Sequence, residues 1–399
     1  MTTTPRTLSP ALERAWLDDG DCSLTDLQAV VEQVTEPHHY QHADRIESNV
    51  VVYHGDRLRD GVASVQTRRA IQSELVHALQ DGPGIVVFER AFADPTVVDR
   101  VTELFTEMIA DQHAMGATAG DHFAKPGAND RVWNALEKLV IRAPSVFADY
   151  YANDLIALVS LAWLGPGYQV TSQVNVVNPG GAAQQPHRDY HLGFLPTDVA
   201  QRYPAHVHRL SPVLTLQGAV AHCDMPVESG PTMYLPHSQK YLPGYLAAGL
   251  PAFQAYFEAS HVQLPLATGD AVFFNPALMH AAGFNRSSSI RRMANLLQVS
   301  SAFGRAMESV DRTRAAQAVY PTLQAWKGAD VPELSIRNVI AATAEGYPFP
   351  TNLDLDPPVD GLAPKSQAEI VWQGLSEGWD PARLGDELSA HLRRRGSQA

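Results

Sequence analysis

Cysteine is scarce. Cys22 and Cys223 are the only two in 399 residues, too few for a disulfide framework and too far apart for a Cys-x-x-Cys site. A reducing, cytoplasmic setting is the expectation. No run of about 18 uninterrupted apolar residues occurs, and "MTTTPRTLSPALERAW" lacks the apolar stretch of a secretory leader, which argues against membrane spanning and export. The sequon "NRS" at Asn285–Ser287 therefore reads as chance. Positive charge is also short: 30 Lys and Arg against 43 Asp and Glu leave a net charge of −13, and no basic run precedes Arg393–Arg395. Nucleic acid is not an expected partner. Internal repeats and low-complexity tracts are missing as well. With 45% hydrophobic and 18% charged residues, the chain has material for a large core.

Helical and strand patterns then occupy different stretches. A helical pattern near 67–79 leads through "DGPG" to the buried-strand candidate "IVVF" (Ile85–Phe88). Asp94 as N-cap and Pro95 in the first turn open a helix whose apolar face runs through Val98, Val101, Phe105 and Met108. From about Gly167, β-branched runs bounded by Gly, Pro and Asn take over: "YQVTSQVNVVNPGG", "VLTLQGAVAH", "VQLPLATGDAVFFNP" and "RRMANLLQVSS". Short strands without intervening helices suggest a sandwich or jelly roll. Helical patterns return after about Phe303 and end in an amphipathic tail, 367–391, expected to cover the β core. The organisation expected is one compact domain: a mostly helical extension over 1–83, the β core over 84–303 and a helical extension over 304–399.

Chemistry concentrates in "QQPHRDYHLGF" (184–194). Alternate strand residues share a face, so His187 and Asp189 can reach one ion while Arg188 points away. An iron(II) ion that must activate dioxygen needs open positions, and two histidines with one carboxylate on one octahedral face leave them. The best third ligand is His280 in "GDAVFFNPALMHAAGF", at the end of an apolar strand. Either element alone is common by chance. Downstream stands Arg291 at the start of a strand, placed for a planar fork that clamps a carboxylate.

This spaced combination resembles the phytanoyl-CoA dioxygenase family of iron(II)- and 2-oxoglutarate-dependent oxygenases. The Pro-Gly turn followed by His-x-Asp is matched by "NPGGAAQQPHRD", and "ESGPTMYLPHSQK" (228–240) matches the family's Glu-Asn-Gly-Pro and Pro-Gly-Ser-His with substitutions. His280, Asn285, Ser287 and Arg291 match the distal histidine, Asn-x-Ser and arginine. The likeness runs from about Gly84 to Ser301. It implies a mainly β fold, a double-stranded β-helix (jelly roll, cupin-like) flanked by N- and C-terminal helices, with His187, Asp189 and His280 holding Fe(II). It further implies Arg291 on the distal carboxylate of 2-oxoglutarate, dioxygen as cosubstrate, and hydroxylation of an unactivated C–H bond with release of succinate and CO2. Two departures stand out. Ala282 sits where the family often has a small hydroxyl residue, and His237 occupies a glycine position.

Other residues have competing readings. His191 shares the parity of His187 and Asp189, but a fourth ligand would close the site, so it is expected in the substrate pocket, with a plain structural role as the alternative. Arg188, Lys125 and Arg286 are the cations that could make that pocket basic, Arg188 being the one assigned to it. Arg286 and Arg292 are rivals to Arg291; on a strand Arg292 would face the opposite way. Gln173 and Asn175 alternate before the metal turn and either contact the cosubstrate or substrate or face water. "HCD" (222–224) reads as a structural strand end. Asp189 argues for oxygen insertion, since related halogenases lack this carboxylate; desaturation, epoxidation and cyclisation share the chemistry. A non-catalytic jelly-roll binding protein and a dioxygen-independent metal isomerase are the readings from other classes. An amino-acid derivative or secondary metabolite is favoured over an acyl-CoA on charge grounds, and oligomeric state is unreadable.

Overall fold

The computed structural model describes residues 15–115, 128–358 and 361–397. Lys125 lies outside them, as do residues 1–14. Among the described residues ten strands form two sheets. The strands are β1 Arg45–Glu47, β2 Val50–His54, β3 Ile85–Glu89, β4 Asn129–Val132, β5 Gln169–Val177, β6 Thr215–Ala221, β7 Met233–Tyr234, β8 Ala271–Phe274, β9 His280–Ala281 and β10 Arg292–Ser300. Eight of them make a large sheet in the order β1-β2-β3-β8-β6-β10-β5-β4. Every pairing in it is antiparallel except β2 with β3. β7 and β9 pair separately, and bridges at His187–His280, Tyr234–Val262 and Met225–Leu266 extend that small sheet on both sides.

The alternation of strand side chains divides the molecule. On one face of the large sheet Tyr53, Phe88, Val174, Val220, Phe273 and Leu297 join the helices in the main core. On the other face Val50, Val52, Ile85, Val87, Val272 and Phe274 pack with Tyr234, Leu264 and Leu278 from the small-sheet side. Over β4, β5, β6 and β10 this second face instead lines a cavity.

The helix expected near 67–79 spans Val65–Gln80, with the Ser64 hydroxyl accepting from Thr67 N. The second spans Pro95–Ala114, with Asp94 accepting from Thr96 N at 3.0 Å. Two differences from expectation have clear causes. β1 and β2 lie in the segment expected to be mostly helical, because the apolar "VVVY" buries both faces as the parallel neighbour of β3. The C-terminal tail, helices Gln367–Glu377 and Pro381–Arg395, covers not the sheet but the helix Arg312–Gly328. There the Tyr320 hydroxyl donates to Trp379 O at 3.0 Å, and Leu384 and Leu388 are fully buried. No helix among the described residues is long and apolar enough to cross a membrane.

Candidate metal centre and cavity

His187, Asp189 and His280 converge, with one ligand atom from each lying within 4.8 Å of the others. His187 and Asp189 ride on extended but irregular chain rather than on a strand. That chain is held by His187 N to His280 O (3.0 Å), His280 N to His187 O (3.1 Å) and Asp189 N to Pro276 O (3.0 Å). The two histidines are thus cross-strand partners, with ring centroids 4.5 Å apart.

Each ring is oriented by its own backbone. His187 Nδ1 lies 2.8 Å from Gln185 O and His280 Nδ1 lies 2.9 Å from Leu278 O, so both protons belong on Nδ1 and both Nε2 lone pairs are free. Those Nε2 atoms approach Asp189: 3.6 Å from His187 to Oδ1 and 3.3 Å from His280 to Oδ2. Burial, and then the adjacent His280, push His187 below the ordinary imidazole range, which favours the neutral ligand form. Burial would raise the Asp189 carboxyl, but the adjacent His187 and His280 rings when protonated, together with a hydrogen bond from Gln217 Nε2 to Oδ2, outweigh it and hold it well below the usual range. Two neutral imidazoles and one carboxylate fit a divalent iron. Gln217, on β6, was not singled out from the sequence; its only signal there is an amide inside an apolar strand.

The triad opens on a cavity of about 1240 Å³. Its walls carry Gln173, Asn175, Gln217, Ala282, Arg292 and Gln298 together with apolar side chains such as Trp133, Phe194 and Leu264. Gln173 and Asn175 are buried and face this space rather than water. Gln173 accepts from Arg131 Nη1 at 2.8 Å and donates to Gln298 Oε1 at 3.4 Å.

Of the two adjacent arginines, the one expected to face away is the one in the cavity wall. Arg291 sits outside the cavity, its side chain half exposed, donating from Nε to Asn178 Oδ1 and from Nη2 to Asp130 Oδ2, both at 3.2 Å. Arg292 is the guanidinium in the wall: it is buried, and its Nη1 has no hydrogen-bond partner among the described residues. The reason is strand phase. Arg292 pairs with Val177, and Ala294, Leu296 and Gln298 follow it on the cavity side, while Met293, Leu297 and Val299 enter the main core. Burial pushes the Arg292 guanidinium down to about 10, which leaves it charged at neutral pH.

Arg188 and His191, both expected in the substrate pocket, are likewise placed elsewhere. Arg188 is buried away from the cavity, donating to Ser238 O (2.5 Å) and Tyr241 O (2.8 Å), with its guanidinium 5.3 Å from the Tyr245 ring centroid. Tyr190 and His191 have φ of +63° and +46°, so the alternation that would aim His191 at the ion stops at Asp189. The His191 ring turns to Ser211, with Nδ1 3.3 Å from Oγ. His237 adopts φ +70°, the left-handed conformation its glycine-like position requires, and contacts Thr35 Oγ1 (3.1 Å) and Lys240 Nζ (2.9 Å). His222 and Asp224 do not converge. His222 lies between Thr102 and Tyr150, whereas Asp224 accepts from Thr268.

A convergent pair of imidazoles and a carboxylate at the wall of the cavity is a set that could hold one metal ion. The phytanoyl-CoA dioxygenase (PhyH) profile matches residues 58–293, more than half of the sequence, and the chain belongs to that family. No curated protein matches it. Among solved structures it is similar to the non-heme α-ketoglutarate-dependent epimerase SnoN from nogalamycin biosynthesis, at 19% identity over 59% of this chain and 84% of that one, with a TM-score of 0.38. It is also similar to the carbocyclase SnoK from the same biosynthesis, at 21% identity over 57% and 83%, with a TM-score of 0.40.

Proposed function

We propose that this protein is an iron(II)- and 2-oxoglutarate-dependent dioxygenase that hydroxylates an unactivated C–H bond of a small organic molecule. The observation that carries the reading is a buried Arg292, its Nη1 without a partner among the described residues, in the same cavity as the His187–Asp189–His280 triad. A buried guanidinium without an anion is costly, and a structural metal site has no use for one. The fold reading is a double-stranded β-helix. It is supported by the order β8-β6-β10-β5 in the large sheet facing the bridged ribbon of the His187 segment, β9, β7 and Val262.

In this reading His187 Nε2, Asp189 and His280 Nε2 hold the iron, and Arg292 takes the distal carboxylate of 2-oxoglutarate. Bound together, iron(II), 2-oxoglutarate and dioxygen supply the oxidant: one oxygen atom goes to the substrate carbon and the other to succinate, with loss of CO2. The chain's own contribution is orientation and dryness. Gln173 and Asn175 offer amides to the cosubstrate or substrate, and Trp133 and Phe194 add apolar wall. The volume exceeds the ~300–1,000 Å³ of common ligand pockets and accommodates cosubstrate and substrate together.

An amino-acid derivative or secondary metabolite is favoured over an acyl-CoA. Of the cations that could have met a polyanion, Arg188 is turned away and Arg286 does not line the cavity. The test is anaerobic titration of iron(II) and 2-oxoglutarate into the apo-protein, followed by the visible charge-transfer band of the chelate. A band that weakens in Arg292→Ala and persists in Arg291→Ala is expected. No band in folded wild-type protein would move a non-catalytic binding role to the front.

A further inference from the structure

The sequence places Gln217 inside an apolar strand, where a side-chain amide is expensive unless both of its ends are satisfied. Only one end is. Nε2 donates to Asp189 Oδ2, while Oε1 is buried with no partner among the described residues. The assignment of nitrogen and oxygen is forced by chemistry, since a carboxylate accepts and cannot donate.

We propose that Gln217 is a positioning residue that holds Asp189 as a one-oxygen ligand; this rests on the iron reading above. A free carboxylate can offer an ion both oxygens, and doing so would consume a coordination position that a cosubstrate needs. With Oδ2 engaged by the Gln217 amide, Oδ1 is the oxygen left without a hydrogen-bond donor.

The amide is well placed to impose this. β6 is an interior strand, and Gln217 is in register with Phe274 of β8 on one side and Gln298 of β10 on the other. Asp189, in contrast, sits on irregular chain next to two residues of positive φ, so its carboxylate has no strand of its own to fix it. The unsatisfied Oε1 then has a use as well. It accepts from a hydroxyl or N–H that enters with the substrate, so the same amide that fixes the ligand also reports occupancy of the cavity.

The experiment compares the full chain with Gln217→Leu, which removes the amide, and Gln217→Asn, which shortens it out of reach. Gln298→Leu is the control: it removes a neighbouring cavity amide that does not touch Asp189. Anaerobic iron(II) titration gives the affinity, and the charge-transfer band with 2-oxoglutarate gives the geometry; melting temperature verifies folding. Both Gln217 variants are expected to bind iron(II) about 10–100-fold more weakly, with a shifted band, while Gln298→Leu stays within about threefold of wild type. Wild-type affinity and an unshifted band in either folded Gln217 variant would overturn the assignment. If wild type itself binds no iron(II), the reading beneath it falls, and this one with it.

Discussion

The two faces of the large sheet are built from the same strands to opposite rules. Along β10, Met293, Leu297 and Val299 enter a core closed by helices, and their neighbours Arg292, Ala294, Leu296 and Gln298 line the cavity. The helix-side face is held mainly by burial, at roughly 25 cal/mol per Å² of apolar surface, with only isolated polar groups such as Asn295 and the Tyr53 hydroxyl enclosed in it. Among the described residues the cavity side holds Arg292 Nη1, Asn175 Oδ1 and Gln217 Oε1 buried without partners. Apolar packing dominates one face, and on the other the unmet polar groups are gathered beside the His187–Asp189–His280 triad.

The largest effect that would sharpen this contrast is on turnover. His187→Ala, Asp189→Ala and His280→Ala are each expected to lower iron-dependent oxidation by more than about 10³-fold while the protein melts near the wild-type temperature. A fully active His280→Ala enzyme would break the ligand set. Next comes the arginine pair. Arg292→Ala should raise the apparent KM for 2-oxoglutarate about 100-fold, close to 2.7 kcal/mol, and Arg291→Ala less than about threefold. Equal effects in steady-state kinetics would erase the distinction between the faces.

Equilibrium urea unfolding supplies the third comparison. Leu297→Ala should cost about 2–5 kcal/mol, whereas Arg292→Met, on the other side of the same strand, should be neutral or stabilising. The smallest effect is on pH dependence. Thr102 Oγ1, whose own proton goes to Val98 O, accepts from His222 Nδ1–H, and the Tyr150 hydroxyl donates to Nε2. Burial holds this neutral ring down to about 3. The unfolded chain therefore binds the extra proton first, below pH 6.5, and stability falls with falling pH. From pH 6 to 5 the His222 share is about 1 kcal/mol, and His222→Gln should remove it from the unfolding curve.

The convergence of His187, Asp189 and His280 was legible because period-two spacing survives in any extended chain, whether or not it is a regular strand. What ended that alternation, the positive φ at Tyr190 and His191, has no signature in residue type, so His191 was carried one step too far. The placement of the two arginines is more instructive. Read backwards from Val299 and Leu297, the apolar phase of "RRMANLLQVS" puts Met293 in the core and Arg292 in the cavity. Asn295 and Leu296 blur that phase, because Asn295 is buried on the core side, donating to the Tyr150 hydroxyl at 3.2 Å. β1 and β2 escaped notice for a different reason: β1 is only three residues long, the Ser48–Asn49 turn that joins it to β2 lacks glycine, and the parallel pairing of β2 with β3 has no local turn to read.

That three-strand edge also has a history during synthesis. β3 closes against β8, with Ile85 opposite Phe274, so the ribosome must translate most of the chain between them before the pair can form. At about 5–20 residues per second, the apolar edge of β3 waits on the order of 10–40 s with only β2 beside it. Until β8 arrives the open edge of β3 can pair with other chains, and slower growth with added holding chaperones is the condition under which the most folded protein should be recovered.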